Sequence, residues 1–128
     1  MANEDLIHTS VAELSALLGE RKLSPVELTR LYLNRIEALD DRLHAFITID
    51  AEGALAAAKI AESAIANGKR IGPLHGIPMA VKDQMDARGL PTTGGSSILN
   101  DIATADSTVV GRLREAGVVL LGKLNLSE

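Results

Sequence analysis

The chain has 128 residues, a formal net charge of −4, 46% hydrophobic residues and no cysteine. The net charge is negative and the sequence contains no basic patch that could bind phosphate backbones, so we expect no direct binding of nucleic acid. The lack of cysteine excludes a disulfide framework and a thiol nucleophile and favours a reducing, cytoplasmic location, and no apolar run approaches the ~18 residues of a membrane span.

Two capping patterns predict helices in the first third of the chain. Ser10 and Glu13 have capping-box spacing, which predicts a helix over 10–20. Ser24, directly before Pro25, is a strong start signal for a second helix. The apolar residues of this second helix recur at helical spacing: Leu28, Leu31, Tyr32, Ile36 and Leu39. We expect its charged residues to form a solvated face.

The middle of the chain predicts a strand, a helix and another strand. The β-branched and aromatic residues over 43–50 predict a short strand, and the alanine-rich segment 51–66 predicts a helix that Asp50 caps. The apolar run before Lys82 predicts a strand buried on both faces, as in a parallel sheet. Because proline cannot donate a ladder hydrogen bond, we expect this strand to begin at or after Pro78.

The last third begins with a long loop. Glycines and prolines keep segment 84–105 from regular structure, and loops of this length tend to be functional. We expect Asp106 to cap a helix over 107–116, and a second buried strand over 118–121 to end at Gly122. The helix is predicted to turn three residues inward: Val109, Val110 and Leu113. The order strand, helix, strand predicts a right-handed βαβ unit in an α/β fold.

Lys82 is the first candidate for chemistry. It stands at the carboxyl end of a predicted strand, which is where α/β sheets carry their sites. Burial disfavours the charged form of lysine and lowers its pKa from the usual ~10.4, so that the neutral amine can accept a proton from a serine. The structural alternative, from the residues alone the more frequent one, is a lysine whose ammonium extends from the core into solvent.

Three blocks of the sequence resemble the amidase signature family, and they occur in the family's order: residues 72–83, 92–96 and 106–128. The resemblance implies amide hydrolysis through a serine–serine–lysine triad, with Lys82 as the lysine of the Val-Lys-Asp motif. It also implies that both serines lie beyond Glu128. The expected fold is α/β, with N-terminal helices packed on part of a mixed, mainly parallel sheet. Residues 1–128 would form one N-terminal segment of an amidase-signature domain, without an internal boundary.

Several other residues have weaker claims to a role. Asp83, which follows the lysine in the motif, is expected to hydrogen-bond the loop, and Thr93 and Ser96 are candidates for supporting roles. Gly-Gly-Ser-Ser at 94–97 matches the family's earlier threonine-containing block, so neither Ser96 nor Ser97 is assigned as the nucleophile. Ser127 is a nucleophile by residue type only. The three histidines have no metal-ligand spacing, and we expect neither a metal nor an organic cofactor: His8, His44 and His75.

The resemblance implies a small-molecule amide as substrate, and a close variant is the glutaminase subunit of a transfer-RNA-dependent amidotransferase. An alternative from a different class is a non-catalytic binding module or relic. A third is reconstitution, in which a second chain supplies the serine-bearing half. Because a strand ending near Leu121 would leave an open apolar sheet edge, we also expect the isolated chain to be molten, homo-oligomeric or aggregation-prone.

Overall fold

The computed structural model describes residues 2–126, which contain five helices and five strands. The helices are α1 (Asn3–Ile7), α2 (Val11–Gly19), α3 (Pro25–Leu43), α4 (Ala51–Ala66) and α5 (Thr108–Glu115). The strands are β1 (Phe46–Ile49), β2 (Pro78–Lys82), β3 (Pro91–Thr92), β4 (Asp101–Ile102) and β5 (Val119–Leu124). The α/β class is confirmed. None of the helices in this part of the chain is both long enough and apolar enough to cross a membrane.

The two capping patterns are confirmed. Ser10 and Glu13 form a complete capping box at the start of α2, and Ser24 does the same for α3 with Pro25 in the first turn. Helix α3 continues to Leu43, beyond Leu39, the last residue of its apolar pattern. His44 then ends the helix in the left-handed conformation at φ 50°. The helix α1, which the sequence pattern did not predict, precedes them and buries Leu6.

The main sheet has three strands in the order β1–β5–β2. Strand β5 pairs antiparallel with β1 and parallel with β2, so the sheet is mixed, as predicted. The expectation that the sheet ends in an open edge near Leu121 was wrong, because β5 lies in the centre and β1 and β2 are the edges of the described sheet. As an edge strand, β2 is half-buried over 78–80 rather than buried on both faces.

The sequence predicted that the central strand ends at Gly122. The strand instead continues to Leu124 through a β-bulge. Met79 pairs with Leu120 and Val81 pairs with Lys123, so β5 carries one extra residue opposite β2. Gly122 permits this irregularity, because a Cβ atom there would lie 2.1 Å from the carbonyl oxygen of Thr48. The strand therefore extends past the glycine into the segment that carries the candidate site.

The core consists of three apolar clusters. One lies between the N-terminal helices and Ile77, and one lies where α4 packs on β5 through Ala54, Ala58, Val119 and Leu121. The third joins Val81 and Leu120 to α5 through Val110. Leu120 and Leu121 thus contribute to opposite faces of the sheet, as adjacent residues of a strand should.

Two predictions about α5 were wrong. Its N-cap is Ser107, whose hydroxyl accepts from Val110 N, and not Asp106. Asp106 instead accepts a hydrogen bond from Arg88 N at 2.7 Å and pairs with Arg114 at 3.1 Å, which fastens the long loop to the helix. Val109 is 51% exposed rather than inward, while Val110 is buried.

The long loop 84–105 is not entirely irregular. The two-residue strands β3 and β4 pair antiparallel, with Pro91 opposite Ile102 and Thr92 opposite Asp101. Main-chain hydrogen bonds from Gly89 N and Ala103 N extend this short ladder. The small hairpin holds the segment that follows Thr92 against the end of the main sheet.

Candidate functional site

Lys82 is the last residue of β2, and its side chain is exposed. Its Nζ atom donates a hydrogen bond to the main-chain oxygen of Asn125 at 2.9 Å. In the described part of the chain β2 is an edge strand, and Lys82 therefore matches the alternative of a lysine whose ammonium extends into solvent. The amine is accessible, and a fixed carbonyl oxygen defines its location.

Asn125, which supplies that oxygen, is itself held by three hydrogen bonds. Its main-chain N donates to Ala45 O at 2.8 Å, and its Nδ2 donates to His44 O at 3.0 Å. Its Oδ1 accepts from Leu126 N at 2.9 Å. The acceptor of Lys82 is therefore fixed to the turn between α3 and β1.

Asp83 follows Lys82, and its side chain is fully buried. Its Oδ1 lies 3.1 Å from Lys123 Nζ, and its Oδ2 accepts from the main-chain N of Thr93 at 3.1 Å and from the Thr93 hydroxyl. Asp83 thus hydrogen-bonds the loop, as the sequence predicted, and Thr93 lies against it. Its main-chain N donates to Leu124 O at 3.0 Å, and its main-chain O accepts from Gly94 N at 3.2 Å.

Lys123 is a site residue that sequence reasoning missed. Its side chain is fully buried, and its Nζ donates to Asp83 Oδ1 at 3.1 Å, Pro91 O at 3.0 Å and Thr92 Oγ1 at 3.3 Å. These three acceptors match the three N–H donors of a lysine ammonium. The available sequence signal was a lysine separated by only one residue from the predicted buried strand 118–121, because a lysine buried at such a place has to be paired.

The loop over 93–98 is organised by Thr93 and two glycines. Thr93 accepts from Gly95 N and Ser96 N, and Ser96 Oγ accepts from Ile98 N at 3.2 Å. Ser96 therefore has a local turn role in this structure and makes no hydrogen bond to Lys82 or Asp83. Gly94 and Gly95 have φ values of 56° and 78°, a region in which glycine is favoured. Ser127 lies outside the described residues.

The histidines do not form a site with one another. His75 is buried, its Nδ1 accepts from Ile71 N at 3.1 Å, and burial together with nearby Arg70 lowers its pKa. It packs against Gly117, which supports a turn role. No group of three or more metal-ligating side chains occurs among residues 2–126.

Lys82 and the Asp83–Lys123 pair lie on opposite sides of the sheet. Val81 faces the cluster under α5, and because side chains alternate along a strand, Asp83 lies on the same side and Lys82 on the other. The site therefore consists of the accessible Lys82 amine on one side of the sheet and the fully buried Asp83–Lys123 ion pair on the other. Such an amine, when neutral, can accept and return a proton.

Comparison with known proteins identifies the family of this chain. The chain is 48% identical over 125 residues to a glutamyl-tRNA(Gln) amidotransferase subunit from Acidothermus cellulolyticus, covering 97% of this chain and 25% of that relative. It is 51% identical to the corresponding protein of Salinispora tropica, covering 97% and 26%. The chain thus spans about a quarter of the length of the curated relatives that it matches.

Solved structures show a similarity of the same kind. The native peptide amidase of Stenotrophomonas maltophilia superimposes with a TM-score of 0.89 at 42% identity, over 94% of this chain and 25% of that one. Fatty acid amide hydrolase superimposes with a TM-score of 0.90 at 24% identity, which shows the fold alone. The family model described as Amidase matches residues 27–128. By this match, which includes both Lys82 and Lys123, the chain belongs to the Amidase family.

Proposed function

We propose that residues 1–128 form the N-terminal segment of an amide-hydrolysing domain, in which Lys82 is the proton acceptor of a serine–serine–lysine triad. The observation that carries this proposal is the hydrogen bond from Lys82 Nζ to Asn125 O, which places an accessible amine at the carboxyl end of β2. Proton acceptors must be fixed in position as well as basic, and this amine is fixed.

The proposed reaction begins with a proton relay. The hydroxyl oxygen of one serine bonds to the amide carbon, while its proton passes to a second serine, which gives its own proton to the Lys82 amine. In this proposal the segments that supply the serines also bury the amine and so favour its neutral form. Collapse of the tetrahedral intermediate breaks the C–N bond, and the leaving nitrogen takes the proton back along the same path. Water then adds to the serine ester by the same relay, which releases the carboxylic acid and restores the serine hydroxyl.

The serines would come from outside residues 2–126. Among these residues, no serine hydroxyl is hydrogen-bonded to Lys82, whose Nζ bonds Asn125 O. We therefore expect no amide hydrolysis by the 128-residue chain alone. The relatives, an amidotransferase subunit and a peptide amidase, favour amides as the substrate class, with the leaving nitrogen either released as ammonia or transferred to a second substrate.

The test uses a chimera in which residues 2–126 replace the matching segment of the Stenotrophomonas peptide amidase. Lys82→Ala should abolish nearly all hydrolysis of a peptide amide, a loss of at least about 10³-fold in kcat. Lys59→Ala, a change at an exposed lysine of α4, is the matched control and should leave kcat unaltered.

Two outcomes would contradict the proposal. One is turnover by the Lys82→Ala chimera near the parental rate. The other is a chimera that melts cooperatively yet does not hydrolyse the amide. A second chimera built on the Acidothermus amidotransferase protein guards against a junction that fails to fold. Its amidotransferase activity provides the corresponding measurement.

A further inference from the structure

We propose that Lys123 is a positioning residue, which together with Asp83 fixes the distance between the Lys82 amine and the carbonyl oxygen that holds it. The inference rests on the proposed function of Lys82 for its catalytic consequence. Its structural part, the control of Lys82 by a buried ion pair on the other side of the sheet, stands without that function.

The β-bulge at Gly122 is what brings Lys123 to this place. Leu121 faces the cluster under α4, and regular alternation would turn Lys123, two residues later, toward the same apolar cluster. The extra residue opposite β2 reverses this, so that Lys123 points to the side of Val81 and Asp83. Bulges are frequent next to active sites because they redirect one side chain in this way.

The ion pair joins three separate segments of the chain. Lys123 Nζ bonds Asp83 after β2, and it also bonds Pro91 O and Thr92 Oγ1 in β3. Asp83 in turn bonds Thr93 N in the loop. A buried pair of this kind often stabilises a fold no better than apolar residues of equal volume would. Its distinctive property is directional bonding, which fixes where the three segments lie.

The positions of Lys82 Nζ and Asn125 O, the two atoms of this hydrogen bond, both depend on the Asp83–Lys123 pair. Lys82 directly precedes Asp83, and Asn125 follows Lys123 by two residues. The main-chain bond from Asp83 N to Leu124 O, at 3.0 Å, closes the same small frame. Movement of Lys123 relative to Asp83 therefore moves Asn125 O relative to Lys82 Nζ. A displacement of this kind is costly in catalysis because reacting groups tolerate little misplacement.

The first measurement needs no activity. Competitive labelling with acetic anhydride reports the reactivity of each lysine in the 128-residue chain. In the double variant Lys123→Met with Asp83→Asn, which leaves no unpaired buried charge, Lys82 should label about twofold faster or more, because its hydrogen bond to Asn125 O is lost. Lys59 serves as the internal control and should label at an unaltered rate. An unaltered Lys82 rate in the folded double variant would overturn the inference.

A milder variant covers the case in which the double variant does not fold. Thr92→Val removes one of the three acceptors of Lys123, and Thr92→Ser retains the hydroxyl. We expect Lys82 labelling to rise with valine and to return to the parental rate with serine. Equal Lys82 labelling in the folded Thr92→Val variant and in the parent would again contradict a positioning role.

The catalytic measurement uses the chimera. The double variant should lose about tenfold or more in kcat, with KM within about twofold of the parent. A parental kcat in a folded double variant would show that Lys123 is structural only. The two proposals fail separately, because turnover by Lys82→Ala would overturn the proposed function, while the labelling result judges the positioning role alone.

Discussion

The Nζ atom of Lys123 lies 3.1 Å from Oδ1 of Asp83, and both side chains are fully buried. Removal of either charge leaves the other buried without its opposite charge, with only neutral hydrogen-bond partners. We therefore expect Lys123→Met or Asp83→Asn alone to lower the free energy of unfolding by about 3–5 kcal/mol. The double variant should recover most of that loss. Urea unfolding measures all three, and additive losses in the double variant would show that the two side chains do not act as a pair.

A second prediction concerns an unsatisfied hydroxyl in the core. Thr29 of α3 is fully buried, and its Oγ1 has no hydrogen-bond partner among the described residues. Thr29→Val keeps the shape and removes the desolvated hydroxyl, so we expect a gain of about 1 kcal/mol in the free energy of unfolding. Thr29→Ala, which leaves a cavity, should instead destabilise. Thermal unfolding followed by circular dichroism compares the two, and a valine variant that melts below the parent would contradict the assignment.

A third prediction tests the bulge. Gly122→Ala would place a Cβ atom 2.1 Å from Thr48 O, and main chain cannot yield as a flexible side chain can. We expect a loss of at least about 2 kcal/mol. Gly111→Ala in α5 is the matched control, because its Cβ would meet only Asp106 Cβ at 3.9 Å. Alanine is the better helix former, so this control should gain about 0.5–1 kcal/mol. Equal effects of the two substitutions would argue against a strict glycine requirement at the bulge.

A fourth prediction concerns pH. Burial lowers the pKa of His75, so the folded chain takes up its proton at lower pH than the unfolded chain does. Well above about pH 6.5 both states are neutral at this residue and its contribution to stability is complete. As the pH falls below that value the unfolded state binds a proton first, and stability is lost until the pH has passed through the lowered pKa of the folded state.

The measurement is the urea midpoint between about pH 7.5 and about pH 4.5, compared with His75→Gln. The variant should lose part of the pH dependence that the parent shows below about pH 6.5. His8→Gln, at an exposed histidine of the N-terminal region, is the control for the replacement itself and should leave the urea midpoint at about pH 7.5 unaltered. A His75→Gln profile with the same slope as the parent would contradict the assignment of this pH dependence to His75.

Local chemistry made the helix starts predictable. Ser10 and Ser24 satisfy main-chain N–H groups a few residues away, so the relevant contacts are contained in the sequence window itself. The start of α5 shows the limit of this approach. Asp106 and Ser107 are both good caps, and the choice depends on Arg88 and Arg114, which bind Asp106 from elsewhere in the fold. Val109 lies about 100° around the helix from Val110, so an inward face centred on Val110 leaves Val109 exposed.

The candidate site was predictable in part, for a similar reason. The apolar run and the prolines locate Lys82 at the end of a strand, but its exposure follows from the strand order, with β2 at an edge. The acceptor of Lys82 comes from 43 residues further along the chain. The role of Lys123 depends on a bulge that reverses which side of the sheet it faces. Contacts between distant segments decide all three, and no periodicity within one segment encodes them.

The partner of Lys82 is a main-chain oxygen, and this has a consequence for how the site tolerates change. Every residue type has a carbonyl, so no replacement of the Asn125 side chain can delete the acceptor itself. A substitution at Asn125 acts only by loosening the backbone, through loss of the bonds to His44 O and Leu126 N. Sequence drift at this position would therefore weaken the hold on Lys82 gradually, whereas drift at Lys82 would abolish it in one step.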